Sequence, residues 1–179
     1  MDFVFVTSNK NKLREAEQIL GRKIKNFDLD VPEIQSLSGK QVAIAKAQSA
    51  YKVLKRPVLV EDSGLYIKQL NNFPGPLVKW VAHAIGSKGI AKLITANQSR
   101  EAYAELFLCL YDGKNSRVFS GKTLGKIALK PSGVTGFGWD AIFIPRGHKL
   151  TYAQMSSEDK NKISQRGKAF RKLKKFLLD

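Results

Sequence analysis

The apolar positions of the chain fall into two periods, and each predicts its own kind of element. Phe3 to Val6 form an unbroken apolar run that ends in the polar "TSN", the pattern of a short buried strand entering a turn. In "KNKLREAEQIL", Leu13, Ala16, Ile19 and Leu20 recur at helical spacing, with Ser8 or Asn9 as N-cap and Gly21 as stop. "NFDLDVPEIQ" predicts extended chain, and the alanine-rich run from Val42 to Leu54 predicts a helix that ends ahead of Pro57. "PVLVEDSGLYI" reads as a strand, "NNFPGPLVKW" as a Gly/Pro loop, and shorter helical pieces follow to about Ala96. "AYAELFLCLYDGKNSRVFSGKTLGKIAL" alternates and turns at Asp112-Gly113, which predicts a β-hairpin. After "GFGWDAIFIP" a last helix starts at about Ser157, with Ile163, Phe170, Leu173 and Leu177 on one side. No repeat, low-complexity tract or linker interrupts the pattern, so residues 1–179 read as one α/β domain with a mixed sheet.

Composition narrows the picture. At 179 residues and 43% apolar content the chain can bury a core and is neither a disordered tail nor a fibre. No apolar run approaches the ~18 residues of a membrane span, and "MDFVFVTSNKNK" lacks the basic-then-apolar order of a signal peptide. A soluble cytoplasmic protein is expected. With Cys109 as the one cysteine, an internal disulfide and a cysteine-based metal site are excluded. Cys109 sits in an alternating strand and reads as a core residue, while His83 and His148 lack a nearby acid and read as structural. The formal charge of +16 favours polyanions, nucleotides or nucleic acids, although a solvated basic surface is the commoner cause of such a number.

Candidate chemistry divides into lures and signals. "SGKT", Ser120 to Thr123, resembles the end of a phosphate-binding P-loop, but the required first glycine is Ser116 and the segment reads as hairpin, so it is excluded. The basic "KNKISQRGKAFRKLKKF" has few aromatics interleaved for stacking on bases and reads as a solvated amphipathic helix. The first strand, feeding a polar turn and a helix N-terminus, is a good anion site because free backbone N–H groups point outward there. Glu61 and Asp62 stand side by side between apolar runs, and in a strand they must point to opposite faces. They therefore cannot form a pair across one substrate. Asp62, taken as the strand's end before Ser63-Gly64, is the cleft candidate. Glu61 is expected to be held by backbone or basic partners on the other side.

The pieces "VTSNKNKLREA", "VPEIQ", "VEDSGL", "NFPGP", "GFGWDAIF" and "EDKNKISQRGKA" occur in one order across nearly the whole chain. In this it resembles the inosine triphosphate pyrophosphatase family, house-cleaning enzymes that hydrolyse unusual purine nucleoside triphosphates such as ITP, dITP and XTP. The resemblance implies an elongated mixed β-sheet with flanking helices, two lobes around a central cleft, and a homodimer. It implies a phosphate loop from Thr7, Ser8, Asn9, Lys10, Asn11 and Lys12, with Lys12 supplying a cation to the triphosphate. Glu33 and Asp62 would bind Mg²⁺, Asp62 would also orient or deprotonate the attacking water, and Ser63 would contact substrate. Phe137, Gly138, Trp139 and Asp140 would wall the base pocket, one aromatic ring stacking on the purine. Lys160 would reach phosphate or sugar from a helix face shared with Ser164, and Ser164, Gln165 and Arg166 would contact the base.

Three positions depart from the family pattern. Gln165 replaces a usual histidine, Ala141 a usual proline, and Trp139 a frequent tyrosine. A glutamine amide carries both a donor and an acceptor and can turn either way, so Gln165 predicts weaker discrimination of 6-oxo purines from adenine, the alternative being that it simply donates through its NH₂ and leaves discrimination unchanged. Two rival functions are a pyrophosphatase of broader nucleotide specificity and a basic nucleic-acid-binding protein without catalysis. The retention together of Lys12, Glu33, Asp62 and Lys160 argues against the second.

Overall fold

The computed structural model of the protein describes residues 2–95 and 97–178. Strand β1 (Val4–Val6) runs into a turn and helix α1 (Lys10–Leu20). Of the two candidate caps Asn9 is the one used: its side-chain oxygen accepts from the backbone N–H of Asn11 at 2.9 Å and of Lys12 at 3.2 Å. After β2 (Asn26–Phe27), helix α2 (Gly39–Leu54) begins ahead of Val42 because Ser38 caps Gln41 N. β3 (Val58–Ile67), β4 (Pro74–Gly75) and α3 (Val78–Lys92) follow, α3 being broken at Gly86. Ala96, the expected end of those helical pieces, lies outside the described residues. The hairpin is β5 (Glu101–Tyr111) and β6 (Ser116–Ile127), its turn held by Asp112, which accepts from Lys114 N and Asn115 N. β7 (Phe143–Pro145), α4 (Ser157–Ile163) and α5 (Gln165–Leu178) complete the described chain.

The strands form one mixed sheet in the order β2-β1-β3-β5-β6-β7, with β4 also beside β3. β1 is parallel to β2 and β3, and the remaining pairs are antiparallel. The chain leaves β1 first to one side, then crosses back to the other, so α1 and α2 cover opposite faces. That reversal at the carboxyl end of a parallel strand is where α/β sheets open a crevice. Here a second feature widens it. β5 pairs with β3 along its whole length, whereas the opposite edge meets β1 at Val58 and Leu59 and β4 at Leu65 and Tyr66. Between those contacts Asp62 to Gly64 have no strand on that edge, and the sheet carries a notch.

Strand alternation sorts the core as the sequence requires. Leu59, Leu106, Leu108 and Leu110 pack against α1 and α5 through Ala16, Leu20, Phe170 and Leu173. Val58, Val60 and Cys109 pack on the other face against the alanines of α2. The far ends of the same strands, with Leu65, Ile67, Ala104 and Ile127, enter a separate core built on Ile90, Ile142, Phe143 and Tyr152. These cores are the two lobes, and Glu61 to Ser63 lie where they meet.

Four expectations need correction. Asp62 is not at a strand end: β3 continues through it, and it pairs with Phe107. The last helix is two helices, because Ser164 adopts extended backbone (ψ 158) and its hydroxyl accepts from Gly167 N at 3.0 Å, capping α5. Lys160 and Ser164 therefore do not share a helix face. His83 and His148 are exposed and help pack neither core. The "SGKT" segment lies in the hairpin as expected, and a methyl on Gly121 would lie 2.0 Å from Gln165 O, where α5 crosses β6.

Candidate active site

A cavity of about 310 Å³ occupies the notch. Its walls are Thr7, Ser8 and Asn9 of the β1–α1 turn, Lys12 of α1, Asp30, Val31 and Glu33 ahead of α2, and Lys46 of α2. Ser63 of β3, Val78, Lys79 and Ala82 of α3, the loop Phe137–Asp140, and Gln165 and Arg166 of α5 close it. Most of the expected site thus converges from segments distant in sequence. Lys10 and Asn11 do not line it: they belong to the first turn of α1, where Lys10 is exposed and Asn11 accepts from Arg14.

The adjacent acids have opposite surroundings. Glu61 is buried on the α1/α5 side, where Arg166 donates to both its oxygens at 3.1 and 2.7 Å and Lys12 lies at 3.1 Å. Burial alone would raise its carboxyl, but the charges of Arg166 and Lys12 outweigh that and hold it down at about 2. Asp62 points to the α2 side, beside Gly39 and Phe107, and its Oδ2 is buried without a hydrogen-bond partner. Burial pushes Asp62 up to about 7 against the pull of Lys12 and Lys46, and the charges of Glu33 and Glu61 add to the rise. Asp62 is not itself in the cavity wall, contrary to expectation; Ser63 is. Its carboxylate lies instead in the field of Glu33 and Lys46, which do line the cavity and pair with each other. Burial would raise Glu33 too, but the hydrogen bond and charge of Lys46 keep it below the ordinary glutamate value.

These oxygens suit a hard divalent ion. Mg²⁺ needs only one or two carboxylates beside phosphate oxygens and water, and Asp62 Oδ2 is a buried acceptor with an unmet valence. Among the described residues no cluster of three or more His, Cys, Asp and Glu converges, which leaves out a dedicated all-protein metal cage.

Lys160 is placed differently from expectation. It is 3% exposed, outside the cavity wall, and its ammonium donates to Glu15 at 2.8 Å and Asp140 at 2.6 Å. Glu15 also accepts from Arg166 at 2.6 Å, so the chain Asp140–Lys160–Glu15–Arg166–Glu61–Lys12 alternates in sign from one lobe to the other. Buried charges survive only when paired in this way. A lysine so occupied ties the Phe137–Asp140 loop to α1. Arg166 keeps only part of its donors for the cavity, and Ser164 is fully buried at its capping bond.

The Phe137–Asp140 wall rests on Asp140, whose carboxylate accepts from Phe137 N at 2.8 Å. Phe137 is the half-buried ring, with Lys160 Nζ 4.8 Å from its centroid. Trp139 is largely committed to the core, edge-on to Phe143 at 5.7 Å, so Phe137 is the more exposed of the two rings at the cavity. Gln165 lines the cavity, and its Oε1 accepts from Tyr152 at 3.2 Å, so the amide is not free to turn.

Lys46, Lys79, Asp30 and Glu15 escaped the sequence reading. Lys46 had a signal, being the one charge in the apolar run Val42 to Ala47. Glu15 lies in the quoted "VTSNKNKLREA", but nothing local marks its role because its partners Lys160 and Arg166 lie at the other end of the chain.

With this geometry in place, comparison with known proteins adds kinship. The Ham1 family model matches residues 3–176. A protein of Schizosaccharomyces pombe named inosine triphosphate pyrophosphatase is 42% identical, the match covering 97% of this chain and 94% of that one. A protein of Saccharolobus solfataricus named dITP/XTP pyrophosphatase is 41% identical over 96% of this chain and 91% of its own. The solved structure of a HAM1 protein from Coxiella burnetii superposes with a TM-score of 0.85 at 29% identity, covering 99% of each chain. The chain belongs to the Ham1 family.

Proposed function

We propose that this protein hydrolyses unusual purine nucleoside triphosphates, ITP, dITP and XTP, to the monophosphate and pyrophosphate with Mg²⁺, and so cleanses the nucleotide pool. Relatives at about two-fifths identity carry the names of such pyrophosphatases, and the enzyme class follows from that kinship. The observation that carries the chemical reading is Asp62: a buried carboxylate with an unpartnered oxygen, beside a cavity edged with lysines.

Thr7, Ser8, Asn9 and Lys12 would hold the triphosphate at the start of α1, with Lys46 and Lys79 opposite. The phosphates compete with Glu33 for Lys46. Drawing Lys46 away frees Glu33 and uncovers Asp62. Bound through Glu33 and Asp62, Mg²⁺ would offset phosphate charge and polarise the oxygens of the reacting group. Asp62 takes a proton from water as the water oxygen bonds to the α-phosphorus, and the bond to the bridging oxygen breaks to release pyrophosphate. Phe137 stacks on the base, and Gln165 and Arg166 face its edge.

In keeping with that role we place the protein in the cytoplasm as a homodimer; among the described residues no helix is long and apolar enough to cross a membrane. The test is a panel of ITP, XTP, ATP, GTP and dUTP with Mg²⁺. Faster pyrophosphate release from ITP and XTP is expected, and equal rates on ATP and GTP would replace this reading with a broad-specificity pyrophosphatase.

A further inference from the structure

Gln165 is 2% exposed yet lines the cavity, and its partner fixes which end of the amide faces inward. Tyr152 is fully buried, its ring 5.1 Å from that of Phe143, and its hydroxyl lies 3.2 Å from Gln165 Oε1. The turn carrying it is rigid: Thr151 and Gln154 form a reciprocal cap, and Thr151 Oγ1 donates to Ser132 O at 2.7 Å. Burial keeps Tyr152 a protonated phenol, hence a donor. Thr123 Oγ1 also faces that hydroxyl, but it already accepts from Lys168 Nζ at 3.0 Å while donating to Ile163 O at 2.8 Å. The phenol's single proton goes to Gln165 Oε1.

We propose that Tyr152 is a positioning residue for base choice: by occupying Gln165 Oε1 it turns the amide NH₂ toward the cavity and makes Gln165 a donor-only group there. This rests on the nucleotide site proposed above. A purine with a 6-oxo group offers that NH₂ an acceptor, whereas the 6-amino group of adenine sets donor against donor. A glutamine locked in this way excludes adenine, although a freely turning one would admit it. The lock replaces the weakened discrimination that the sequence alone predicts.

The experiment is a double-mutant cycle read as the ratio of kcat/KM for ITP to that for ATP. The four proteins are the natural one, Tyr152→Phe, Gln165→Met, and both together. Tyr152→Phe keeps the ring and frees the amide. The ratio is expected to fall about fivefold, the equivalent of one hydrogen bond of ~1 kcal/mol. In the Gln165→Met background, where no amide remains, Tyr152→Phe is expected to leave the ratio unmoved. A general loosening of the fold would shift it in both backgrounds, and that result overturns the proposal. So does an unchanged ratio in Tyr152→Phe alone. Absence of pyrophosphate from either nucleotide with the natural protein would overturn the nucleotide site and the lock together, which separates that failure from failure of the lock alone.

Discussion

Glu61 and Asp62 are neighbours whose proton affinities are driven apart by what faces them. Glu61 sits near 2 because Arg166 and Lys12 outweigh its burial, so its contribution to stability is full above its unfolded value of 4.5. That contribution is lost as pH falls from 4.5 toward 2. Glu61→Gln leaves Arg166 short of a charge in a buried site and is expected to cost about 3 kcal/mol in urea unfolding at pH 7. It should also flatten the acid limb of the stability curve, and an unaltered acid limb would deny Glu61 this role. For Asp62 the sign reverses. Its folded value, about 7, lies above the ordinary 3.8, so its ionisation opposes folding as pH rises through that window. Asp62→Asn is expected to melt higher than the natural protein at pH 8 without divalent ions, by ~1 kcal/mol or more. The same variant should lose ~10²-fold or more in turnover. A variant both less stable and fully active would assign the wrong acid. The opposite facing of these two was legible in the sequence, because strand alternation is a local rule. The burial of Lys160 was not, since its partner Glu15 lies 145 positions away and only the closed fold joins them.

At the scale of elements the joint between α4 and α5 sets the site. Ile163, Phe170, Leu173 and Leu177 keep one apolar stripe across it, and no proline or glycine lies between Ser157 and Ser164, so the pattern reads as continuous helix. The break becomes visible only through the bond from Gly167 N to Ser164 Oγ. It turns Gln165 and Arg166 toward the cavity at the first turn of α5, and Gly121 lets that turn lie on β6. Gly121→Ala would set a methyl 2.0 Å from Gln165 O and wedge the helix off the sheet. The expected cost is about 2 kcal/mol in chemical denaturation, with kcat/KM for ITP down at least ~10-fold through misplaced Gln165 and Arg166. Natural kinetics in this variant would detach the α5 crossing from function. β1, the alanine helix and the hairpin were readable because each has a cap or turn residue in its own sequence. The notch was not, because it arises from where β1 and β4 stop along β3.

Taken as a whole, the molecule carries a formal charge of +16, yet its interior network is balanced: Lys12, Lys160 and Arg166 against Glu15, Glu61 and Asp140. The surplus cations therefore lie outside that network, and Lys46 and Lys79 are among those at the cavity. Three apolar clusters joined by shared strands hold that cavity between the β1–α1 turn and the Phe137–Asp140 loop, with Asp62 at the junction. If this architecture serves attack at the α-phosphorus, one assay decides it. ITP incubated with the protein and Mg²⁺ is resolved into its products over the time course. Equal amounts of IMP and pyrophosphate are predicted at every time point, and accumulation of IDP with orthophosphate would contradict the account.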